Sequence, residues 1–220
     1  MLREEEEFAL EENKTVEFKA HYRLSFTQLT AKEIDNRLFQ PASRTLCAFL
    51  NINQTCDLYL GIRDDGTVKG HHMFNAQKEH FTQGLDILLS QKFEPPVDKY
   101  RYSVNFISVE SKDLSSVFNS TPSLTIKEEH KLLEQPNVCW CDSEISQYKR
   151  MGKMPPLYII QVRINEWDHT KDIQKFKVWP YFTNEEGKCY KRYNASNHEL
   201  TQNQIIEETK IDLEKLKIGS

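Results

Sequence analysis

The sequence predicts an α+β domain, a mixed and mainly antiparallel sheet with helices flanking it. Three observations predict it. The stretch Asp57-Leu58-Tyr59-Leu60-Gly61-Ile62-Arg63, then Asp64-Asp65-Gly66, then Thr67-Val68-Lys69-Gly70 reads as two short strands around a hairpin turn. From Asn75 to Lys92 the apolar residues Phe81, Leu85, Leu88 and Leu89 recur at helical spacing. Leu157-Tyr158-Ile159-Ile160-Gln161-Val162 is a short apolar run bounded by polar sequence, the pattern of a buried strand. Strand and helix signals therefore intermix along the chain, and no internal repeat is visible.

Length and composition narrow the class. A chain of 220 residues has room for one core or at most two small lobes, and we read residues 1–220 as a single domain. Seven Gly and eight Pro exclude collagen-like and low-complexity chains. Twenty-nine Lys and Arg against 33 Asp and Glu, net charge −4, exclude a protein that coats nucleic acid with its whole surface. Any nucleic-acid site must be a local basic patch. Five cysteines, an odd number in a chain of this size, read as reduced thiols and a cytosolic or nuclear compartment. No apolar run approaches the ~18 residues of a membrane span, and the first residues, MLREEEEFAL, are acidic where an export signal is basic and then apolar. The Asn-x-Ser/Thr triplets at Asn13, Asn53, Asn119 and Asn194 carry no weight in that compartment. Gly219-Ser220 and the abrupt start read as edges of an excised domain, with room for an anchor or tail outside it.

In chain order, Thr15-Val16-Glu17-Phe18-Lys19 alternates as a short strand, with Val16 and Phe18 on one side and Glu17 on an exposed face. Residues from about Thr30 to Leu50 read as helix, with Thr30 and Glu33 as a capping box. Pro41 either breaks that run or starts a second helix, and Leu46, Phe49 and Leu50 mark the buried side. Pro95-Pro96 stops the helix of residues 75–92, and a strand follows at Tyr100 to Val109. Residues at about 111–155 are a polar insertion with one helical stretch near Lys127 to Leu133. Strands near Lys177 to Phe182 and Lys188 to Arg192 lead to a last helix, Gln202 to Lys217, with Ile205, Ile206, Leu213 and Leu216 in one apolar stripe.

Glu12 and Glu17 flank the first strand and Asp64 stands where the hairpin turns, so a sheet pairing these strands would gather three carboxylates. Hard cations such as Mg²⁺ or Mn²⁺ prefer charged oxygen ligands, and such an ion activates water against a phosphodiester. On pattern alone, three carboxylates among 33 acidic residues read more readily as solvated turn groups.

The segments Glu12-Asn13-Lys14-Thr15-Val16-Glu17-Phe18-Lys19, Leu46-Cys47-Ala48-Phe49-Leu50-Asn51, Leu58 to Asp65 and Val68-Lys69-Gly70 together resemble the Schlafen core, also called the AlbA-like or divergent AAA_4 domain. Asn184 to Ser196 is similar to that family's closing strand and loop. The resemblance runs over residues 12–73, 97–109 and 156–200. It implies a single Schlafen-type lobe and a metal-dependent endoribonuclease, with Glu12, Glu17 and Asp64 as catalytic residues and ligands of Mg²⁺ or Mn²⁺. Lys19 matches the family's lysine beside the site. The zinc site of many vertebrate members is not expected, because Phe93-Glu94-Pro95-Pro96 and Glu166-Trp167-Asp168-His169 stand at its places. Cys139-Trp140-Cys141 with His130 lacks the four-ligand spacing of structural zinc, and loop thiols are the plainer reading.

Larger Schlafens pair two related lobes into a clamp around RNA, and this chain has length for one. It is more similar to small Schlafen-like proteins such as the subunits of the nematode endonuclease that trims piRNA-precursor 5′ ends. The resemblance therefore implies a homo- or hetero-oligomer with another Schlafen-like subunit, acting on a piRNA precursor or tRNA-like RNA in the cytoplasm, with room for a tether to an organelle surface through a partner or a missing segment. Lys19, Arg63, Lys69, Lys188, Lys191 and Arg192 are the RNA-binding candidates, since phosphate neutralisation supplies most RNA affinity. Tyr190 and Tyr193 are candidates for base stacking, and Lys149-Arg150 is a weaker cationic pair. His71 and His72 are left out as more ordinary surface or packed residues. Two other readings stay open: a non-catalytic Schlafen-like scaffold or RNA-binding subunit, and a DNA-binding regulatory domain of AlbA-like type.

Overall fold

A computed structural model describes residues 2–20, 41–112, 150–151, 154–172, 175–176 and 180–218. The Thr30–Glu33 capping box, most of the polar insertion with its helical stretch, the Cys139/Cys141/His130 group and Lys149 lie outside these residues. The fold is α+β. Its main sheet has six strands: β1 (Leu2–Arg3), β5 (Tyr102–Glu110), β6 (Leu157–Ile164), β3 (Cys56–Leu60) and β2 (Val16–Lys19) lie in that order, and β4 (His71–His72) also pairs with β6. β6 is antiparallel to β3, β4 and β5, whereas β2 runs parallel to β3 and β1 parallel to β5. The sheet is thus mixed and mainly antiparallel, as the sequence predicts.

Helices α1 (Ala42–Leu50) and α2 (Asn75–Ile87) cover one face, and α2 runs on into a π-helical turn at Leu88–Lys92. Pro41 stands just before α1, so it starts a helix there, where its missing N–H costs nothing. Leu46, Phe49, Leu50, Phe81, Leu85, Leu88 and Leu89 are all buried in the core between these helices and the sheet. A smaller cluster on the other face joins Phe18, Tyr59, Ile62, Val68 and Ile159, with Phe8 packed edge-on against Phe18 and Tyr59. The segment that contributes Phe8 follows β1, a strand that the acidic N-terminal run conceals from a hydropathy reading.

The predicted hairpin is an excursion from one strand line. β3 pairs with Ile160 to Ile164 of β6, and β4 resumes beside Leu157 and Tyr158 of the same strand. Between them the chain leaves at Gly61 and returns at Gly70, and the Lys69 and Gly70 N–H groups donate to the Gly61 carbonyl at 2.9 and 2.8 Å. Both glycines have positive φ, +95° and +64°. A Cβ on Gly61 would stand 3.0 Å from Gly70 Cα, and one on Gly70 would stand 2.7 Å from Leu157 Cγ. The return strand predicted at Thr67 to Gly70 accordingly shrinks to an Ile62–Val68 bridge, with Glu5 to Phe8 bonded along its other side.

A second, two-stranded sheet closes the fold: β7 (Cys189–Tyr193) and β8 (Ser196–Leu200), turning at Asn194-Ala195. Ser196 therefore begins a strand where the resemblance suggests a loop. The strand predicted near Lys177 to Phe182 is not formed by its described residues. Instead Thr183 makes a single bridge to Glu94, and Asn51 holds the Phe182 backbone. Asn51 is buried after α1. Its amide donates to the carbonyls of Phe182 at 2.9 Å and Tyr190 at 2.8 Å and accepts the Phe182 N–H at 2.8 Å, riveting α1 to β7. Arg44 of α1 adds a two-pronged pair to Glu186 at 3.0 Å. Short α3 (His169–Asp172) follows β6, and α4 (Gln202–Ile218) follows β8. Of the expected stripe on α4, Ile206 and Leu213 are exposed and Ile205 is half-buried, and Glu208 ties the helix to the lobe by accepting from Tyr181, Lys191 and Tyr193. Cys47, Cys56 and Cys189 are free and buried, and burial pushes the Cys56 and Cys189 thiols up to about 12. No helix among the described residues is long and apolar enough to cross a membrane.

The pinch between Gly61 and Gly70 carries a stability cost if filled. Gly61→Ala should lower the unfolding free energy by about 2 kcal/mol, read as a shift in the urea midpoint with unchanged slope.

Candidate functional site

β2 is an edge strand, and its position decides the site. Because β2 and β3 are parallel, their C-terminal ends lie side by side, and the Gly61 N–H donates to the Lys19 carbonyl at 2.9 Å. The excursion that bears Asp64 therefore begins next to the end of β2. On the N-terminal side Asn13 folds the chain back: its side-chain oxygen accepts the N–H groups of Thr15 at 2.8 Å and Val16 at 3.1 Å, an Asx turn. That turn brings the Glu12 carboxylate to the free edge of β2, where it accepts the Phe18 N–H at 2.7 Å. A strand edge left open would offer that N–H to another chain, so Glu12 also closes the sheet.

Glu17 departs from expectation. It is 7% exposed, and Lys19 beside it is 8% exposed, because the β7–β8 hairpin covers this side of β2. A buried carboxylate requires compensating charge. Lys19 Nζ donates to Glu17 Oε1 at 3.0 Å and Arg192 Nη2 donates to Oε2 at 2.5 Å. Arg192 is 1% exposed. Its remaining donors reach the Asn13 carbonyl at 3.0 and 2.9 Å, the Val16 carbonyl at 3.2 Å and Asn197 Oδ1 at 2.9 Å, and its guanidinium lies over the Phe49 ring.

Glu12 is half-buried, and its carboxyl is held above the ordinary range, first by burial and then by the charges of Glu17 and Asp64, while the Phe18 N–H and Lys19 act in the opposite sense. The three sequence-predicted carboxylates thus stand close enough for their charges to repel. The donor set is all oxygen and suits a hard divalent cation. As the side chains stand, both Glu17 oxygens are engaged by cations of the chain, and among the described residues no group of three or more His, Cys, Asp or Glu is arranged to hold a metal ion.

A sequence model of the Schlafen, AlbA_2 family matches residues 12–201. The chain belongs to the Schlafen family. The matched span opens on Glu12 and runs through β8, so both halves of the arrangement around Glu17 fall inside the Schlafen region.

Most cations predicted to meet RNA are already engaged within this Schlafen lobe. Lys19 and Arg192 are buried against Glu17, Lys69 pairs with Glu5, Lys188 with Glu199 at 3.1 Å and Lys191 with Glu208. Arg63 is exposed on the excursion. Of the two aromatic residues, Tyr193 is exposed and donates to Glu208, whereas Tyr190 is buried in the core with Arg44 over its ring, which removes it as a stacking platform. His71 is buried, and half-buried His72 places Nδ1 2.7 Å from the Pro155 carbonyl. Reading by residue type overlooks Asn13 and Asn197, the first shaping the turn that delivers Glu12 and the second anchoring Arg192. The Asn-Lys-Thr turn signal points to Asn13; Asn197 has no local signal, since its partners lie in β7 and α1.

These environments make opposite demands on the two glutamates. Glu17→Ala leaves two buried cations facing each other and should cost about 3 kcal/mol or more, measured by urea unfolding. Glu12 has a raised carboxyl pKa in the folded chain, so the stability it contributes is present below its ordinary pKa and is lost as pH rises through the raised value. Glu12→Gln should therefore raise Tm in metal-free buffer at neutral pH, and the gain should vanish near ~pH 4.

Proposed function

We propose that this Schlafen lobe is a metal-dependent endoribonuclease that hydrolyses phosphodiester bonds in RNA, with Glu12, Glu17 and Asp64 as its catalytic carboxylates. What supports this reading is that the excursion bearing Asp64 begins beside the end of β2, and that Glu12 lies within the electrostatic reach of both Glu17 and Asp64, inside the span of the family match. Glu12, Glu17 and Asp64 would hold one or two Mg²⁺ or Mn²⁺ ions, which when bound polarise the phosphodiester and activate water. Lys19 pairs with Glu17 at 3.0 Å and would supply a fixed cation beside a phosphate held at these carboxylates.

The lobe is read as acting in the cytoplasm with a second Schlafen-like subunit, on a piRNA-precursor or tRNA-like RNA. Arg63 and Tyr193, both exposed, are its outward-facing cation and aromatic residue for that RNA. The exposed Ile206 and Leu213 of α4, seven residues apart and so on one side of the helix, offer apolar contacts to a partner. A second reading, a non-catalytic subunit that scaffolds a partner or presents RNA to it, draws on the occupation of both Glu17 oxygens by Lys19 and Arg192.

Asp64 is exposed, so Asp64→Asn tests the chemistry without the folding penalty of Glu17 substitutions. In the assembly formed with its partner, wild-type chain should cleave RNA with Mn²⁺ and not with EDTA, and Asp64→Asn should lower the rate by ~10²-fold or more at unchanged Tm. RNA binding without cleavage by the wild-type assembly would instead establish the scaffold reading.

A further inference from the structure

The Arg192 guanidinium is a single rigid fork that touches Glu17 itself and the turn that positions Glu12. It grips Glu17 Oε2 at 2.5 Å, and it takes the carbonyls of Asn13 and Val16, the two ends of the turn that swings Glu12 onto the strand edge. Its remaining arm reaches Asn197 of β8, whose own amide donates to Thr45 of α1 at 2.9 Å. The guanidinium is therefore fixed from β8 and α1 on one side and fixes the β2 edge on the other. Lysine cannot reproduce this, because an ammonium is a compact point charge without a planar fork.

We propose that Arg192 is a positioning residue for the carboxylate site, setting Glu17 directly and Glu12 through the Asn13–Val16 turn, rather than a contact for RNA. This rests on the nuclease reading above. It also assigns the β7–β8 hairpin a role: the hairpin is the frame that holds the fork. Side chains that orient ligating carboxylates are worth 10–100-fold in metal affinity or activity in well-studied sites. Loss of a cation that binds RNA directly would instead weaken substrate binding uniformly.

The test compares wild type, Arg192→Lys and Asn197→Ala, each as full chain in the assembly in which the wild type is assayed. Asn197→Ala removes only the outer anchor from a half-buried hairpin position, so it remains informative if Arg192→Lys folds poorly. Arg192→Lys should lower kcat by ~10-fold or more and raise the Mn²⁺ concentration for half-maximal rate similarly, with KM for RNA within about threefold; Asn197→Ala should move the same quantities less. Amide hydrogen exchange at Phe18, whose N–H is held by Glu12, should accelerate in both variants. Unchanged kcat and Mn²⁺ dependence in an active assembly, or a rise in KM alone, would overturn the positioning role. If the wild type neither cleaves RNA nor responds to Mn²⁺, the nuclease reading fails, and Phe18 exchange decides the rest: faster exchange in the variants upholds the hold on the Glu12 turn, and unchanged exchange overturns it.

Discussion

The buried carboxylate of Glu17 constrains the rest of this lobe. Moving an ion from water into a protein interior costs several kcal/mol even after relaxation, and only close counter-charges with satisfied hydrogen bonds offset it. Lys19 supplies one from two residues away. The other, Arg192, lies 175 residues further along the chain, so the charge on β2 is fully met only when the last hairpin has docked. The buried Asn51 rivet and the Arg44–Glu186 pair then become intelligible as fixtures that bring β7 onto α1 and keep it there. The order of dependence runs from charge burial to hairpin docking to the shape of the site.

The acidic side chains of this lobe are met in different ways. The N-terminal glutamates are tied into structure: the backbone of Glu5 to Phe8 bonds along the excursion, the Glu5 side chain meets Lys69, and the Glu4 carboxylate accepts from Ser111 at 2.9 Å. Glu12 instead remains half exposed beside like charges. The sheet edge needs an acceptor there, and burial and repulsion raise the proton affinity of that acceptor. An edge strand, an Asx turn and a pair of pinched glycines thus bring Glu12 within the electrostatic reach of Glu17 and Asp64, and each device is a backbone requirement before it is a chemical one.

Much of this was legible in residue order. The helical spacing of Phe81, Leu85, Leu88 and Leu89, the run of β6 and the alternation of β2 depend on local periodicity, and the structure forms all three elements. The Asp64-Asp65-Gly66 turn was legible for the same reason. The strand predicted after it was not formed as written, because whether Thr67 to Gly70 pairs with β3 depends on the pinch between Gly61 and Gly70 and on the N-terminal segment that flanks it. The exposure of Glu17 was misjudged for a related reason: alternation gives the side of a strand a residue faces, but not what covers that side. Arg192 is the sharpest case, since a cation on a short polar strand reads as a surface group until its distant partners are known.

By itself, then, the amino-acid order determined β2, β3, β5, β6 and α2 and, through motif spacing, the family resemblance, because periodicity, turn chemistry and motifs act over a few neighbouring positions. Only the tertiary structure decided that Glu17 is buried, that its charge is met by Lys19 and Arg192, and that the closing hairpin frames the site. Those outcomes depend on desolvation and on hydrogen bonds between residues far apart in the chain, and no local pattern encodes which distant cation will answer a buried anion.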